Sequence, residues 1–410
     1  MLNCYLVGGA VRDKLLNIEV EDHDWVVVGS TAATMLDRGF KQVGKNFPVF
    51  LHPKTKEEYA LARTERKTAP GYHGFACISD PSVTLEDDLL RRDLTINAMA
   101  EDPDGNIIDP HNGQVDLKNK ILRHVSEAFT EDPVRVLRIA RFAARLEPYN
   151  FTIAPETMLL MQQMVQNGEL NHLVPERVWQ ELAKSLTTTS PRTFIEVLRE
   201  CGALEILLPE IAALWGVPQN PKWHPEIDTG VHVMLALDMA TQLTSDPVTR
   251  FAVLCHDLGK ALTPKDILPA HHGHEQRGVA PIKQLSSRLN IPKAYRDLAI
   301  KVAKLHLLSH TILDLKASTI LKLLEQLDAF RNPELVEKFA IACTADARGR
   351  SGLKDTTYAQ ADILRSIFIA VKKISAKPLF AAGLRDNILK NTLDKLRITA
   401  INTVTNHYNG

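Results

Sequence analysis

The sequence predicts an α+β fold: a mixed-sheet N-terminal domain followed by an all-helical remainder. Three observations predict it. Short apolar and β-branched runs, broken by glycine turns, fill residues 1–130, the pattern of strands interleaved with short helices. From about Glu131 onward, apolar residues recur three or four apart and strand signals nearly vanish. The chain has 410 residues, beyond the roughly 250–300 at which one hydrophobic core stops growing, so at least two domains are required.

The elements follow in order. Tyr5–Val7 reads as a strand ending at Gly8-Gly9, and Val11–Leu16 has helical spacing. Asp24 leads into the β-branched run Trp25–Val28, a second strand. Thr31–Arg38 reads as helix, and Val49–His52 and Glu58–Ala62 as further strands. Thr64–Gly74 is polar, holds Pro70, Gly71 and Gly74, and reads as a mobile loop. A mixed sheet with helices on one side is the expected result. Beyond Glu131 the helical segments are Leu137–Arg145, Glu156–Gln166, Glu176–Leu186, Thr193–Cys201, Val231–Leu243, Arg250–Leu258, Arg296–His306 and Ser318–Leu327. Asp132-Pro133 is one of their start signals. The Pro-, Gly- and Trp-rich stretch 210–230 reads as a boundary.

Lysine plus arginine equals aspartate plus glutamate, 49 each, which argues against a protein that coats nucleic acid by bulk charge. The balance is uneven, however: residues 293–410 hold 19 basic and 11 acidic side chains. A basic C-terminal third suits a polyanion held at one end. The cysteines Cys4, Cys77, Cys201, Cys255 and Cys343 are scattered without a Cys-x-x-Cys pair, against a disulfide framework or zinc ribbon. No basic segment precedes an apolar stretch at the N-terminus, and no run approaches the roughly 18 apolar residues of a membrane span. A cytoplasmic protein with no membrane partner is expected.

Chemistry enters at Gly8–Asp13, a Gly-Gly turn between strand and helix, where backbone N–H groups and the helix N-terminus can meet a phosphate. Asp22-His23-Asp24 follows. Two carboxylates on one face of a strand repel unless they share hard cations, and magnesium takes carboxylate and phosphate oxygens together. Arg91-Arg92-Asp93, with Asn97 and Ala98, gathers donors suited to triphosphate and ribose around one helix start. Glu131-Asp132-Pro133-Val134-Arg135 opens a helix carrying Arg138, Arg141 and Arg145. There Asp132 and Arg135 can offer an acceptor and a donor fork to a base edge, and the other arginines can reach phosphates.

These four motifs, in this order over the first two hundred or so residues, resemble the class II tRNA nucleotidyltransferase family of the polymerase-β-like superfamily. The resemblance implies that Asp22 and Asp24 are catalytic and hold magnesium ions. It makes Gly9, Arg12, Arg92, Asp93, Asn97, Arg138 and Arg141 nucleotide contacts, and Asp132 and Arg135 the base readers in place of a nucleic-acid template. Glu58 is a candidate third acid. A related branch adds poly(A) tails, so the motifs leave an A-adding transferase as the alternative.

A second site lies downstream. The apolar run Phe251–Cys255 ends in His256-Asp257, and adjacent His and Asp can face one metal and supply a bridging carboxylate. His232 upstream and Asp346 downstream complete a pattern similar to the metal-dependent phosphohydrolases named for their His-Asp (HD) doublet. His271, His272, His274 and His306 stand between as extra candidates. Gly259-Lys260 is not a phosphate-binding P-loop, because the glycine required five residues earlier is absent and Ala261 follows the lysine.

A nucleotidyltransferase head with an HD domain behind it resembles the bacterial multifunctional CCA proteins, a likeness that extends through Lys222–Gly230. It implies an enzyme that adds C, C and A to the 3′ end of tRNA from CTP and ATP. It also implies a phosphatase and 2′,3′-cyclic phosphodiesterase activity using a transition metal such as nickel. The expected domains are a head (1–130), a helical neck (131–215), an HD domain (216–350) and a helical tail (351–410). The expected state is a monomer with some homodimer. The alternative of a different class is an HD phosphohydrolase whose head only binds RNA.

Overall fold

The run Trp25–Val28 alternates Val26, 2% exposed, with Val27, 1% exposed, so the strand is buried on both faces and needs cover on both. In the computed structural model, which describes residues 2–20, 22–43, 49–67 and 75–409, that cover comes from two different helices. The strands up to residue 110 are β1 (Asn3–Val7), β2 (Asp24–Val28), β3 (Lys41–Val43), β4 (Val49–Leu51), β5 (Glu58–Leu61), β6 (Thr64–Lys67), β7 (Phe75–Ile78), β8 (Ala100–Glu101) and β9 (Ile107–Ile108). Seven of them form a mixed sheet in the order β3-β4-β5-β2-β1-β8-β9, parallel only where β2 meets β5. Val7 and Val26 pack on Leu85 and Leu89 of helix Leu85–Leu90. Val27 and Leu61 pack on Met35 of helix Ala32–Asp37. The expectation of helices on one side is therefore corrected: a strand apolar on both faces cannot leave one bare.

Thr64–Lys67, expected as loop, pairs with Phe75–Ile78 as a two-stranded hairpin. Its polar sequence carries no alternating apolar face for a pattern reading to find. Residues 68–74, the rest of that expected loop, lie outside the described residues.

The helices of the remainder appear where the spacing puts them, with ends shifted by a few residues. Val134–Leu146, Pro155–Gln166 and Pro175–Ser185 belong to the first unit. Thr229–Leu243, Pro247–Cys255, Lys293–His310, Ala317–Leu327 and Glu334–Arg348 belong to the second. Proline opens Pro155–Gln166, Pro175–Ser185 and Pro247–Cys255, where its missing N–H costs nothing. The chain divides into two compact units, Met1–Thr189 with Thr193–Leu207, and Ser190–Arg192 with Leu208–Gly410. No helix among the described residues is long and apolar enough to cross a membrane.

Candidate functional site

Register builds the first site. Val7 at the end of β1 pairs with Asp24, which pairs with Glu58 across the parallel β2–β5 contact. Asp24, Glu58 and the Gly8-Gly9 turn therefore share one end of the sheet, beside a 1310 Å³ cleft that Asp22 also lines. Asp22 precedes the strand, which starts at Asp24; what unites the two aspartates is the cleft rather than strand alternation. Desolvation holds the Asp24 carboxyl above its ordinary value; Arg92 opposes this and Asp22 adds to it.

Gly8 adopts φ +70°, and a Cβ there would stand 2.8 Å from Arg92 Nη1. Only glycine both takes this left-handed turn without strain and lets the guanidinium come this close. Gly9 follows as the first residue of helix Gly9–Leu15 and lines the cleft.

Most of the cleft's arginines are tied to an acid. Arg12, 1% exposed, donates from Nε to Asp13 at 2.8 Å and from Nη1 to Asn97 Oδ1 at 2.6 Å. Arg91 and Arg92 both donate to the buried Asp88, at 2.6 and 3.0 Å. Arg91 closes the C-terminal end of helix Leu85–Leu90, whose own start is the Thr84–Asp87 capping box, and the short 3-10 helix Thr95–Asn97 starts just beyond Asp93. Asp93 is buried and accepts from Arg138 Nε at 2.7 Å and Asn97 Nδ2 at 3.0 Å. Although burial opposes its charge, Arg138 and these donors hold its carboxyl well below the ordinary range. Arg141 donates to Glu181 at 2.5 Å and Arg145 to Asp13 at 2.8 Å. Phe142 lies under three of these guanidinia, with Arg12, Arg141 and Arg138 at 5.3, 4.4 and 5.5 Å from its ring centre.

Asp132 and Arg135 both line the cleft, but neither presents a bare edge. Arg135 is buried, and its Nη1 donates to the Ala128 carbonyl at 2.6 Å. Both oxygens of Asp132 are taken by Arg177, at 3.0 and 2.6 Å, while Oδ1 also accepts from Val134 N at 3.1 Å. Arg177 was not legible as a site residue. It opens a different helix 45 positions away, and no spacing in the sequence joins it to Asp132.

The second site lies in the second unit. The helices that carry His232, His306 and Asp346 and the turn after Pro247–Cys255 bring the expected ligands together. His232 Nε2 lies 3.2 Å from Asp346 Oδ1, and His256 Nε2 lies 3.2 Å from Asp257 Oδ2. All four residues are buried. His256 Nδ1 faces the Val253 carbonyl at 2.7 Å, so Nδ1 donates there and Nε2 is the nitrogen turned toward the acids. Neither His256 Nε2 nor Asp257 Oδ1 has a hydrogen-bond partner among the described residues, while Asp257 Oδ2 meets the Lys260 ammonium at 2.7 Å. Although burial opposes a charged ring, Asp257 and Asp346 push the His256 imidazole up to about 10. The pocket thus calls for positive charge, and its imidazole and carboxylate donors fit a first-row divalent cation.

Of the remaining histidines, His274 and His306 join this cluster, 3.3 and 4.0 Å from Asp257 Oδ1. His271 does not: it faces Thr263 and the Pro218 carbonyl, at 2.8 and 3.0 Å. His272 contributes its carbonyl to Arg277 at 2.7 Å. His310, which sequence reasoning missed, sits 2.7 Å from Asp346 Oδ2 and receives the Tyr358 hydroxyl at 2.9 Å; its position one helical turn after His306 was the available signal. Glu226 lies 3.1 Å from His224 Nδ1 and 2.9 Å from His232 Nδ1.

The mixed sheet with its carboxylates and arginine cleft defines a nucleotidyltransferase head of the poly(A) polymerase type. Residues 4–123 match the Poly A polymerase head domain family, and residues 150–214 match the family described as the probable RNA and SrmB-binding site of polymerase A. Over its full length the chain is 58% identical to a multifunctional CCA protein of Thioalkalivibrio sulfidiphilus, covering 100% of both chains. It is 57% identical to that of Nitrosococcus oceani, covering 98% of each. The chain belongs to the multifunctional CCA protein family. In fold it resembles a CCA-adding enzyme in apo form (22% identity, TM-score 0.65, 98% and 88% coverage). It also resembles the Thermotoga maritima CCA-adding enzyme complexed with tRNA (21% identity, TM-score 0.62, 99% and 90% coverage).

Proposed function

We propose that the first unit adds C, C and A to the 3′ end of tRNA from CTP and ATP, and that the His-Asp centre hydrolyses phosphate monoesters and 2′,3′-cyclic phosphodiesters. The observation that carries the first part is the cleft, where Asp22 and Asp24 face a wall of acid-anchored arginines. Magnesium ions held by the two aspartates supply the charge that eases loss of the 3′-hydroxyl proton and offsets that of departing pyrophosphate. The protein's own groups bind and orient. The Gly8-Gly9 turn and Arg92 receive the triphosphate, Arg12 and Asn97 hold the sugar end, and Arg138 and Arg141 take further phosphate oxygens. Asp132 and Arg135 select the base, and Asp93 holds Arg138 and Asn97 in place.

The four-part division 1–130, 131–215, 216–350 and 351–410 assigns these roles to head, neck, HD domain and tail. The basic C-terminal third grips tRNA through phosphates and shape. The enzyme works in the cytoplasm as a monomer with some homodimer. Support for the hydrolase comes from His232, His256, Asp257 and Asp346, whose donors fit a transition metal such as nickel. That cation supplies Lewis acidity toward the phosphate ester and the attacking water.

The deciding experiment is incorporation on a tRNA lacking its last three nucleotides, read at single-nucleotide resolution with magnesium and CTP, ATP or both. Two additions with CTP and a third only with ATP are expected. A ladder of A residues without CTP would move the chain to the A-adding branch.

A further inference from the structure

Every arginine that lines the cleft of the first unit has a partner inside the protein. Lys184 lines the cleft too, and its ammonium has neither an ion pair nor a hydrogen bond among the described residues. Its place is set by helix Pro175–Ser185. Arg177, Glu181 and Lys184 stand four and three residues apart, so they share one face of that helix. Arg177 holds both oxygens of Asp132, and Glu181 accepts from Arg141 Nε. The acid one turn before Lys184 is thereby taken by an arginine, and the lysine's charge stays free. The helix runs from Asp132 toward Arg141, and Lys184 lies beyond Glu181, about 10 Å along the axis from Arg177.

We propose that Lys184 binds the terminal phosphate of the incoming nucleoside triphosphate and holds the same phosphate in the departing pyrophosphate. The inference rests on the reading of the cleft as a CTP and ATP site, and adds to it a contact for the triphosphate tail. With the base at Asp132 and Arg135 and inner phosphates at Arg138 and Arg141, the tail is the part of the nucleotide that reaches past Glu181. An arginine already held by a carboxylate offers a fixed fork, and part of its charge is offset before the ligand arrives. A free ammonium on a flexible stem brings an undiminished point charge. The terminal phosphate is the most negative of the three and leaves at every turnover, so a mobile donor suits it better than a rigid fork. As the tRNA 3′-oxygen attacks the α-phosphorus, the bond from that phosphorus to its bridging oxygen breaks. The outer two phosphates then depart together, with the Lys184 contact intact.

The test uses the full chain with magnesium. Titration calorimetry measures binding of CTP, CDP and CMP, and steady-state assays follow addition to tRNA lacking its terminal CCA or its terminal A. Lys184→Ala should weaken CTP by about tenfold and leave CDP and CMP within about twofold of the parent. KM should rise by a similar factor for CTP and ATP, inhibition by added pyrophosphate should weaken alike, and KM for tRNA should not move. Lys184→Arg, which keeps the charge, should recover most of the CTP affinity. The side chain is exposed and alanine favours a helix, so the variant folds, which circular dichroism checks. An equal loss of CTP, CDP and CMP would overturn the inference, because Lys184 would then act through the helix. Unchanged CTP affinity would overturn it as well, and with a raised KM for tRNA would assign the lysine to a backbone phosphate of the RNA. No CTP binding and no addition by the parent chain would overturn the transferase reading itself.

Discussion

The two sites handle charge in opposite ways. In the cleft the arginines are matched before any ligand arrives: Arg12 with Asp13, Arg92 with Asp88, Arg138 with Asp93, Arg141 with Glu181 and Arg177 with Asp132. In the His-Asp centre imidazoles and carboxylates converge and the shortage is of cations. A triphosphate is large and brings its own charge, so the cleft must hold a broad array of donors steady, and acid anchors fix them at little cost in order. A metal ion is a point charge, so its site needs only a few atoms aimed at one place.

The largest effect expected from this contrast comes from the open carboxylates. Asp22→Ala or Asp24→Ala should lower nucleotide addition by about 10³-fold or more, the scale of losing a group that stabilises transition-state charge. Hydrolysis of 2′,3′-cyclic AMP by the same preparations should stay at the parent rate. If both activities fall in a folded variant, the two sites are not independent and the contrast above fails.

The anchors come next, and acid exposes them. Asp93 has its folded-state carboxyl depressed from the ordinary 3.8. Its contribution to stability is therefore fully present above that value and is lost as pH falls through the folded one. Asp93→Asn should lower stability at pH 7 by about 2–3 kcal/mol. That is less than a fully buried pair would lose, because Arg138 keeps contact with water. The variant should also have a shallower stability slope below about pH 4, measurable by urea unfolding from pH 7 down to pH 3. An unchanged slope would remove Asp93 from the set of anchors.

What could be read without the structure follows the same division. Asp22, Asp24, Arg92, Asn97 and the His256-Asp257 doublet were legible because each motif is local: its residues lie within a few positions of one another and the chemistry depends on that spacing. The register that sets Glu58 beside Asp24 was only partly legible, since it needs β2 and β5 to run parallel, which no local pattern fixes. Cover on both faces of Trp25–Val28 was written in the alternation but missed, because a run buried on both sides looks like any apolar run. His274 and His306 were legible only as two of four candidate histidines, and their convergence on Asp257 depends on helices that meet only in the fold.

Gly8→Ala tests how tightly the cleft's backbone is fixed. The left-handed turn costs an alanine about 1–2 kcal/mol, and the added methyl would press on Arg92 Nη1. Because that atom is the end of a flexible side chain, the guanidinium moves and the fold survives. The expected outcome is a rise of about tenfold in KM for CTP and ATP alike, with hydrolase activity unchanged, in steady-state assays of both reactions. A selective loss of one nucleotide would place Gly8 at the base rather than the phosphates.

The smallest effect is the most discriminating. Arg177 occupies both oxygens of Asp132, so a base that uses Asp132 as acceptor must either displace the clamp or share it. Cytosine and adenine both offer an exocyclic amine, but each needs the carboxylate at a different place, and the clamp limits where it can go. In Arg177→Ala the carboxylate swings without restraint. Both side chains keep some water contact, so the pair is worth about 1 kcal/mol, or roughly fivefold in an equilibrium. CTP-over-ATP discrimination at the first addition should fall by about fivefold in kcat/KM, with little change in the KM of either nucleotide alone. If both nucleotides instead lose equally, Arg177 serves the fold of the helix pair, and base choice rests with Arg135 and the Asp132 backbone position.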